Sequence, residues 1–566
     1  MALNRKILLY SIFGYFCLIV YAYYFKFFPT LISPIISNFF ILGLLIIILS
    51  LLVIQSFQLK SSIDLYCILP QYVIFTFITR AISTLRLPYQ PLSDPYYYFI
   101  TTLNIADYGT LEPVLSWWYS LIPQQLTWPD LHIIGSVLMN LTGIHSLDLL
   151  RYVLPVTGIF FFLGVFLLTI KITNNATIGL LAGLFASTSD TVLFYQSEYH
   201  PQGIAFIYFV FFIILIIQYF SKPTLFNGSL MIIYVITFSL SHHFSSIFFG
   251  LLSIFILIVL LIFQNYFSRY FQFNTSTQFN FLFQPWIIII ILMFFSHIFK
   301  YPAFLTLASN AIMNELKPPG TLITYGSDIP IQVTILNSTK YILIALALVS
   351  ILYIYKSKNK KEFFCFVILM GILMSGIIGT FVAFIPVDRL IGFYIPFAAL
   401  FGALTLSRFH DIWFPKWNII IKNYIIVIIS LLILIAGPLN FFAPALIFHD
   451  SAKNSYYWHS NDFSGFSFYG TPGIWIQEYI PENSKFLSIG DTFMIPYFYG
   501  QIPSTISSLR INSIKDNYYS IFSMDIMKEK NQIKPNLKLI KNNFIYTIGE
   551  YNIGINSGNI SSELYR

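Results

Sequence analysis

Carboxylate and imidazole side chains, which can bind cations or accept protons, occur at a few places where apolar runs end. The first is Asp94, within the segment Leu92–Tyr98 (LSDPYYY). A carboxylate at the end of an apolar run can bind a divalent cation through its oxygens, or it can take a proton from an acceptor. It could equally cap a helix, with the tyrosines forming part of the aromatic belt of a membrane surface.

A second segment, Tyr195–Gly203 (YQSEYHPQG), places a carboxylate and an imidazole two residues apart, at Glu198 and His200. Both groups are common metal ligands, so the pair could bind one cation. The alternative is an ordinary turn formed by Pro201 and Gly203.

Three further side chains are candidates for binding a polar ligand. His243 follows another histidine, and because neighbouring helical side chains point about 100° apart, we expect only one of the two to face a polar site. Asp328 lies in the long loop 304–337, and loops of that length are often functional or mobile. The planar guanidinium of Arg389 could hold phosphate oxygens, or it could pair with Asp388 alone.

The composition indicates the class of protein that positions these residues. The chain has 566 residues and is 57% hydrophobic, 19% aromatic and 10% charged, whereas soluble proteins are about 25% charged. This composition excludes a disordered chain and argues against a soluble globular enzyme. Apolar runs long enough to cross a bilayer recur, which is typical of a polytopic α-helical membrane protein. No motif points to nucleic-acid binding.

We expect about thirteen spans and an N-terminus in the cytosol. The expected limits are 7–27, 31–55, 63–84, 148–170, 177–193, 204–221, 226–242, 245–264, 284–303, 338–355, 362–385, 390–407 and 421–442. Basic residues gather in cytosolic loops of membrane proteins, and the cluster Lys356–Lys361 is the strongest such signal here. The chain is therefore predicted to be a multi-pass protein of the cell membrane, with loops 85–147 and 304–337 outside.

A composition shift predicts a domain boundary near residue 445. Residues 445–566 carry 10 Lys/Arg and 10 Asp/Glu, which is 20 of the 54 charges of the chain. We therefore expect a transmembrane domain over 1–444 and an external C-terminal soluble domain over 445–566. Strand-like patterns at Lys485–Ile489 and Phe544–Ile548 predict a small α/β or α+β unit there.

Taken together, the segments resemble a GT-C membrane glycosyltransferase, and in particular the oligosaccharyltransferase catalytic subunit in its archaeal or bacterial single-subunit form. Asp94–Tyr98 resembles the DPYxxY-like motif of the first external loop. Gly179–Gly203 resembles the small-residue span that leads to the second acidic motif, although His and Gln replace its acids and Glu198 is the nearby carboxylate. Arg389 matches the Arg-containing span near the lipid-linked donor. Asp491 matches the Asp of the WWDYG motif, both tryptophans of which are absent.

The resemblance implies transfer of a sugar or oligosaccharide from a polyprenyl-phosphate-linked donor to a protein or lipid acceptor at the external membrane face. It implies a catalytic and metal-binding group that would hold Mg²⁺ or Mn²⁺: Asp94, Glu198 and His200. It also implies substrate-binding residues: Arg389 at the donor phosphate, and Asp491, His243 and Asp328 further out. The alternative is a non-enzymatic transporter or flippase for lipid-linked saccharides, in which these residues are dispersed interfacial anchors.

Overall fold

The structure, a computed structural model, describes the helical part of the chain and five strands near its C-terminus. The described residues are 2–27, 34–59, 61–86, 101–102, 105–107, 109–110, 129–144, 146–197, 200–221, 224–241, 245, 248–250, 252, 255, 339–357, 360–382, 387–413, 426–434, 486–488, 504–506, 518–523, 542–548 and 551–556. The chain divides into two compact units, and the larger contains the described helices while the smaller contains the strands. The domain boundary near residue 445 stays a prediction.

Most described helices coincide with predicted apolar spans. They are α1 (Ala2–Phe27), α2 (Pro34–Phe57), α3 (Ser62–Arg86), α4 (Asp130–Thr142), α5 (Ser146–Thr173), α6 (Ala176–Ser187), α7 (Asp190–Ser197), α8 (Pro201–Ser221), α9 (Leu225–Ser241), α10 (Thr339–Val349), α11 (Ile351–Ser357), α12 (Lys360–Val382) and α13 (Val387–Trp413). Residues 426–434 are also helical. The spans predicted at 245–264 and 284–303 lie mostly or wholly outside the described residues.

By length and composition, three of the described helical segments can cross a membrane unaided. They are Phe40–Phe57, Pro155–Thr173 and Pro201–Tyr219. The structure supports a mostly helical membrane protein, and the count of thirteen spans stays a prediction.

Side-chain caps explain where several helices begin. At the start of α3, the backbone N–H of Ser61 donates to Asp64 Oδ2 at 3.0 Å, and the N–H of Asp64 donates to Ser61 Oγ at 3.2 Å. This reciprocal capping box satisfies two donors that the helix leaves without partners. Asn175 caps α6 by accepting the N–H of Ile178 at 3.1 Å. Asp64 therefore has a structural role at a helix end.

The span predicted over 177–193 is wrong in one respect, because it is broken. The helices α6 and α7 are bent by 71°. The break falls in the polar run Ser187–Asp190 (STSD), where serine and threonine hydroxyls compete for helix carbonyls. Thr188 Oγ1 donates to the Leu184 carbonyl at 2.8 Å, and Ser187 Oγ donates to the same oxygen at 3.2 Å. The local sequence therefore ends α6 before the apolar run does.

The core of the helical unit is rich in phenylalanine and depends on glycine where helices meet. A Cβ on Gly183 of α6 would lie 2.7 Å from the Phe162 ring of α5. A Cβ on Gly392 of α13 would lie 2.0 Å from the Phe206 ring of α8. These helices therefore approach at distances that only glycine permits.

The five strands form one mixed sheet in the order β2-β1-β3-β5-β4. They are β1 (Phe486–Ser488), β2 (Ser504–Ile506), β3 (Tyr518–Ser523), β4 (Asn542–Ile548) and β5 (Tyr551–Asn556). The strand β1 pairs in parallel with β2 and β3, whereas β5 pairs antiparallel with β3 and β4. Both predicted strands overlap observed ones, β1 and β4.

Candidate functional site

The structure describes one predicted site residue in full and one by its backbone. His200 lies just before α8 and is 6% exposed. Arg389 lies in the first turn of α13, and the description covers its backbone only. The other predicted site residues lie outside the described residues: Asp94, Glu198, His243, Asp328 and Asp491.

His200 acts as the N-cap of α8. Its Nδ1 accepts the backbone N–H of Gln202 at 3.1 Å, and Pro201 occupies the first helical position, where its missing N–H costs nothing. The Tyr195 ring packs edge-on against the imidazole, with ring centroids 4.9 Å apart. A Cβ on Gly203 would lie 2.3 Å from the Tyr195 carbonyl oxygen, so this turn needs glycine there.

The cap bond fixes the chemistry that His200 offers. A backbone N–H can only donate, so Nδ1 carries the lone pair and the neutral ring holds its proton on Nε2. Nδ1 is thus engaged and Nε2 is a donor, so the residue does not fit a metal ligand in this arrangement. Among the residues that the structure describes, no three His, Cys, Asp or Glu side chains are grouped closely enough to hold a metal ion.

Arg80 and Gln196 link the end of α3 to the segment before His200. Arg80 is fully buried. Its Nε and Nη2 donate to Gln196 Oε1 at 2.9 and 2.6 Å, and its Nη2 also donates to the Ser187 carbonyl at 2.9 Å. Two parts of the chain that are more than 100 residues apart therefore meet at one guanidinium.

The helices α8 and α13 begin at the same end of the helical unit. Phe206 of α8 contacts Phe393 of α13 at a centroid distance of 5.3 Å, and Phe209 contacts Phe393 and Phe397 at 5.1 and 6.0 Å. The contacts advance in the same order along both helices, so the two run in the same direction. The backbone of Arg389, one turn before Phe393, therefore starts α13 at the end where His200 starts α8.

A partly buried acid, Asp130, lies beside α8. Asp130 begins α4, and burial raises the pKa of its carboxyl from 3.8 to about 6, although a hydrogen bond from the Tyr208 hydroxyl lowers that pKa. The Tyr208 and Tyr234 rings pack edge to face at 5.7 Å. Two residues further on, His132 Nδ1 lies 3.3 Å from the hydroxyl of Thr102.

Basic side chains gather at the other end of α8. Lys171 Nζ donates to Gln218 Oε1 at 2.9 Å, and Lys361 Nζ donates to the Lys171 carbonyl at 3.4 Å. Since Gln218 lies in the last turn of α8 and His200 precedes its first, the lysines and the candidate site are separated along this helix. These lysines belong to the loops predicted to face the cytosol, and the orientation itself stays a prediction.

Comparison with known proteins gives structural matches only, since no protein-family model and no curated protein matches the sequence. One match is the Archaeoglobus fulgidus oligosaccharyltransferase, in a complex with Zn and sulfate, at 14% identity and a TM-score of 0.47 over 76% of this chain and 62% of that chain. Another is ArnT from Cupriavidus metallidurans, bound to undecaprenyl phosphate, at 7% identity and a TM-score of 0.48 over 88% of this chain and 99% of that chain.

Both proteins are GT-C glycosyltransferases, the class that the sequence resembles. At these identities the likeness concerns the fold alone. This chain spans less than two thirds of the length of the oligosaccharyltransferase.

Proposed function

We propose that this protein transfers a sugar or oligosaccharide from a polyprenyl-phosphate-linked donor to a protein or lipid acceptor at the external membrane face. The observation that carries the proposal is the common starting point of α8 and α13. It puts His200 and the backbone of Arg389 at one end of the helical unit, away from the lysines at the end of α8.

In this proposal the carboxylates and the guanidinium divide the chemistry. The acceptor atom attacks the anomeric carbon, its proton passes to Asp94 or Glu198, and the bond from that carbon to the phosphate oxygen breaks. Arg389 stabilises the charge that develops on the leaving phosphate. His200 keeps its cap and can donate from Nε2 to an anionic oxygen. The carboxylates of Asp94 and Glu198 would hold Mg²⁺ or Mn²⁺, which would stabilise the charge on the leaving phosphate. Asp491, His243 and Asp328 would contact substrate further out.

The proposal is tested by incubating the purified protein with polyprenyl-phosphate-linked sugars and peptide or lipid acceptors. Mass spectrometry would identify the product, in Mg²⁺, in Mn²⁺ and in EDTA. We expect transfer by the wild type and its loss in Asp94→Asn, Glu198→Gln and Arg389→Gln. Asp64→Asn is the matched control, because Asp64 caps α3 and should be dispensable for chemistry. Failure of the wild type to transfer sugar under every condition would overturn the proposed activity, and transfer that survives all three substitutions would overturn the proposed site.

A transporter or flippase for lipid-linked saccharides is the second candidate, and the break between α6 and α7 is the observation that favours it. Transporters often bind substrate where a membrane helix is interrupted. Reconstituted vesicles would separate the two functions, because a flippase moves a fluorescent lipid-linked saccharide between leaflets without forming a new glycosidic bond.

A further inference from the structure

A fully buried arginine at the end of α3 has no role in the chemistry proposed above. Arg80 is 0% exposed, and a buried cation is tolerated only where its donors are hydrogen-bonded. Within its own helix, Nη1 donates to the Thr76 carbonyl at 3.0 Å. Nη1 also donates to Thr79 Oγ1 of the same helix at 3.5 Å, whereas Nε and Nη2 donate to Gln196 and the Ser187 carbonyl, so two nitrogens of the guanidinium hold other elements.

The two outside acceptors lie on either side of the break between α6 and α7. The Ser187 carbonyl belongs to the last turn of α6, where carbonyls lack helical partners and carry partial negative charge. A guanidinium is favoured there for both reasons. Gln196 belongs to α7, and its side-chain oxygen accepts two N–H bonds from the one guanidinium, which fixes the orientation of the amide. Arg80 thereby sets the position of α7 relative to α6.

The third side of the guanidinium site is made by a glycine. A Cβ on Gly158 of α5 would lie 2.2 Å from Arg80 Nε and 2.4 Å from its Cδ. No side chain other than hydrogen fits there unless the arginine moves. The helix α5 therefore packs against the Arg80 side chain and restricts its position.

A short helix needs such support. The helix α7 has eight residues, Asp190–Ser197, and an isolated helix of that length is unstable because its nucleation is costly. Its orientation must therefore come from tertiary contacts. Gln196 precedes His200 by four residues, so a contact that orients Gln196 also orients the segment that leads to His200, and Glu198 lies between the two in the sequence.

We propose that Arg80 is a positioning residue of the candidate site, acting through Gln196 and the Ser187 carbonyl to hold the Tyr195–Gly203 turn. The proposal rests on the proposed function for its catalytic consequence. Its structural consequence, an ordered turn, can be measured without any activity.

The test is hydrogen–deuterium exchange of the purified full-length protein, in wild type, Arg80→Lys, Gln196→Leu and Gln196→Glu. We expect exchange in the peptide covering 195–203 to be about tenfold faster in Gln196→Leu, since each tenfold reports about 1.4 kcal/mol of lost local stability. Gln196→Glu should keep wild-type exchange, because a carboxylate accepts the same two bonds. Arg80→Lys should fall between them, because an ammonium lacks the planar fork. Peptides from α12 should be unchanged throughout.

Arg408→Lys is the matched control. Arg408 pairs with the buried Glu362 at 3.4 Å, so it is an arginine replaced in the same way at another buried acceptor. We expect exchange over 195–203 to match wild type in this variant. If transfer activity is found, kcat should fall in Gln196→Leu with KM little changed, and Gln196→Glu should restore it.

Wild-type exchange over 195–203 in both Arg80→Lys and Gln196→Leu would overturn the positioning role. So would faster exchange spread evenly over all peptides, which would mean that Arg80 stabilises the whole fold. Should Arg80→Lys fail to fold, the contrast between Gln196→Leu and Gln196→Glu decides the question. If exchange over 195–203 is faster in Gln196→Leu but the wild type shows no transfer activity, the proposed function is refuted and the positioning role is supported.

Discussion

The backbone N–H of Gln202 donates to Nδ1 of His200 at 3.1 Å, which makes the imidazole the N-cap of α8. This bond uses the lone pair that a cation would need, and it leaves the ring proton on Nε2. His200, which the sequence pairs with Glu198, therefore has a structural role as a helix cap. In the proposed transfer, His200 acts as a hydrogen-bond donor.

Replacement of His200 separates capping from metal binding. His200→Asn should keep most of the stability, because asparagine is a strong N-cap, whereas His200→Ala should lose about 1 kcal/mol. Thermal unfolding of the purified protein in detergent measures the difference. If Asn and Ala were equally damaging, and both abolished binding of Mn²⁺ by the protein, His200 would instead be a ligand.

Gly158→Ala should destabilise the protein strongly, because its Cβ would lie 2.2 Å from Arg80 Nε. Overpacking of this kind costs about 1–3 kcal/mol. Gly43→Ala in α2 is the matched control, since a Cβ there meets nothing within 4 Å and alanine favours a helix by about 0.5–1 kcal/mol. The measurement is the unfolding midpoint of both variants. Equal midpoints would show that Arg80 moves aside at little cost.

Asp130 should make stability depend on pH. The pKa of its carboxyl is about 6 in the folded protein against 3.8 ordinarily, so the folded state binds the proton more tightly than the unfolded chain. The contribution of this proton to the free energy of unfolding is complete below about pH 4. It is lost as the pH rises through about 6, and the loss is on the order of 3 kcal/mol. Asp130→Asn should remove this dependence and be more stable than wild type at pH 7.

The Asp130 prediction is checked by unfolding midpoints between pH 4 and 8. Tyr208→Phe is the companion variant, because losing the hydroxyl that lowers the pKa of Asp130 should steepen the loss of stability. Parallel curves for wild type and Asp130→Asn would show that this carboxyl does not govern the pH dependence.

Two exposed leucines test the orientation of the helical unit. Leu141, at the end of α4, is 79% exposed and lies in a loop predicted to be external, whereas Leu225, at the start of α9, is 89% exposed and follows a predicted cytosolic loop. In a variant without Cys17, Cys67 and Cys365, Leu141→Cys should react with an impermeant maleimide added to whole cells. Leu225→Cys should react only after permeabilisation. The reverse pattern would invert the predicted topology.

The sequence predicted α3, α5 and α8 well because each is a long apolar run. The limits of α3, α5 and α8 lie within three residues of the predicted spans. The break after Ser187 was missed, although the polar run STSD is typical of a helix end. The cap at His200 was also missed, although Pro201 is typical of a helix start.

The site could be predicted only in part, because its contacts join distant segments. Arg80 and Gln196 are 116 residues apart, and hydrophobic periodicity carries no information on such a pair. The contact of Asp130 with Tyr208 could not be predicted for the same reason, since the sequence places that acid in an external loop. Residues of known chemical type can be proposed from sequence, whereas the residues that hold them require coordinates.

Gly392 has a consequence for the spacing of the two helices that begin near His200 and Arg389. Because Gly392 lacks a side chain, α13 can approach Phe206 of α8 closely. The same position therefore sets the distance between the two helices. Any larger residue at this position would push α8 and α13 apart without changing the chemistry of any reactive side chain. The spacing between the starts of α8 and α13 thus depends on a position with no chemistry of its own.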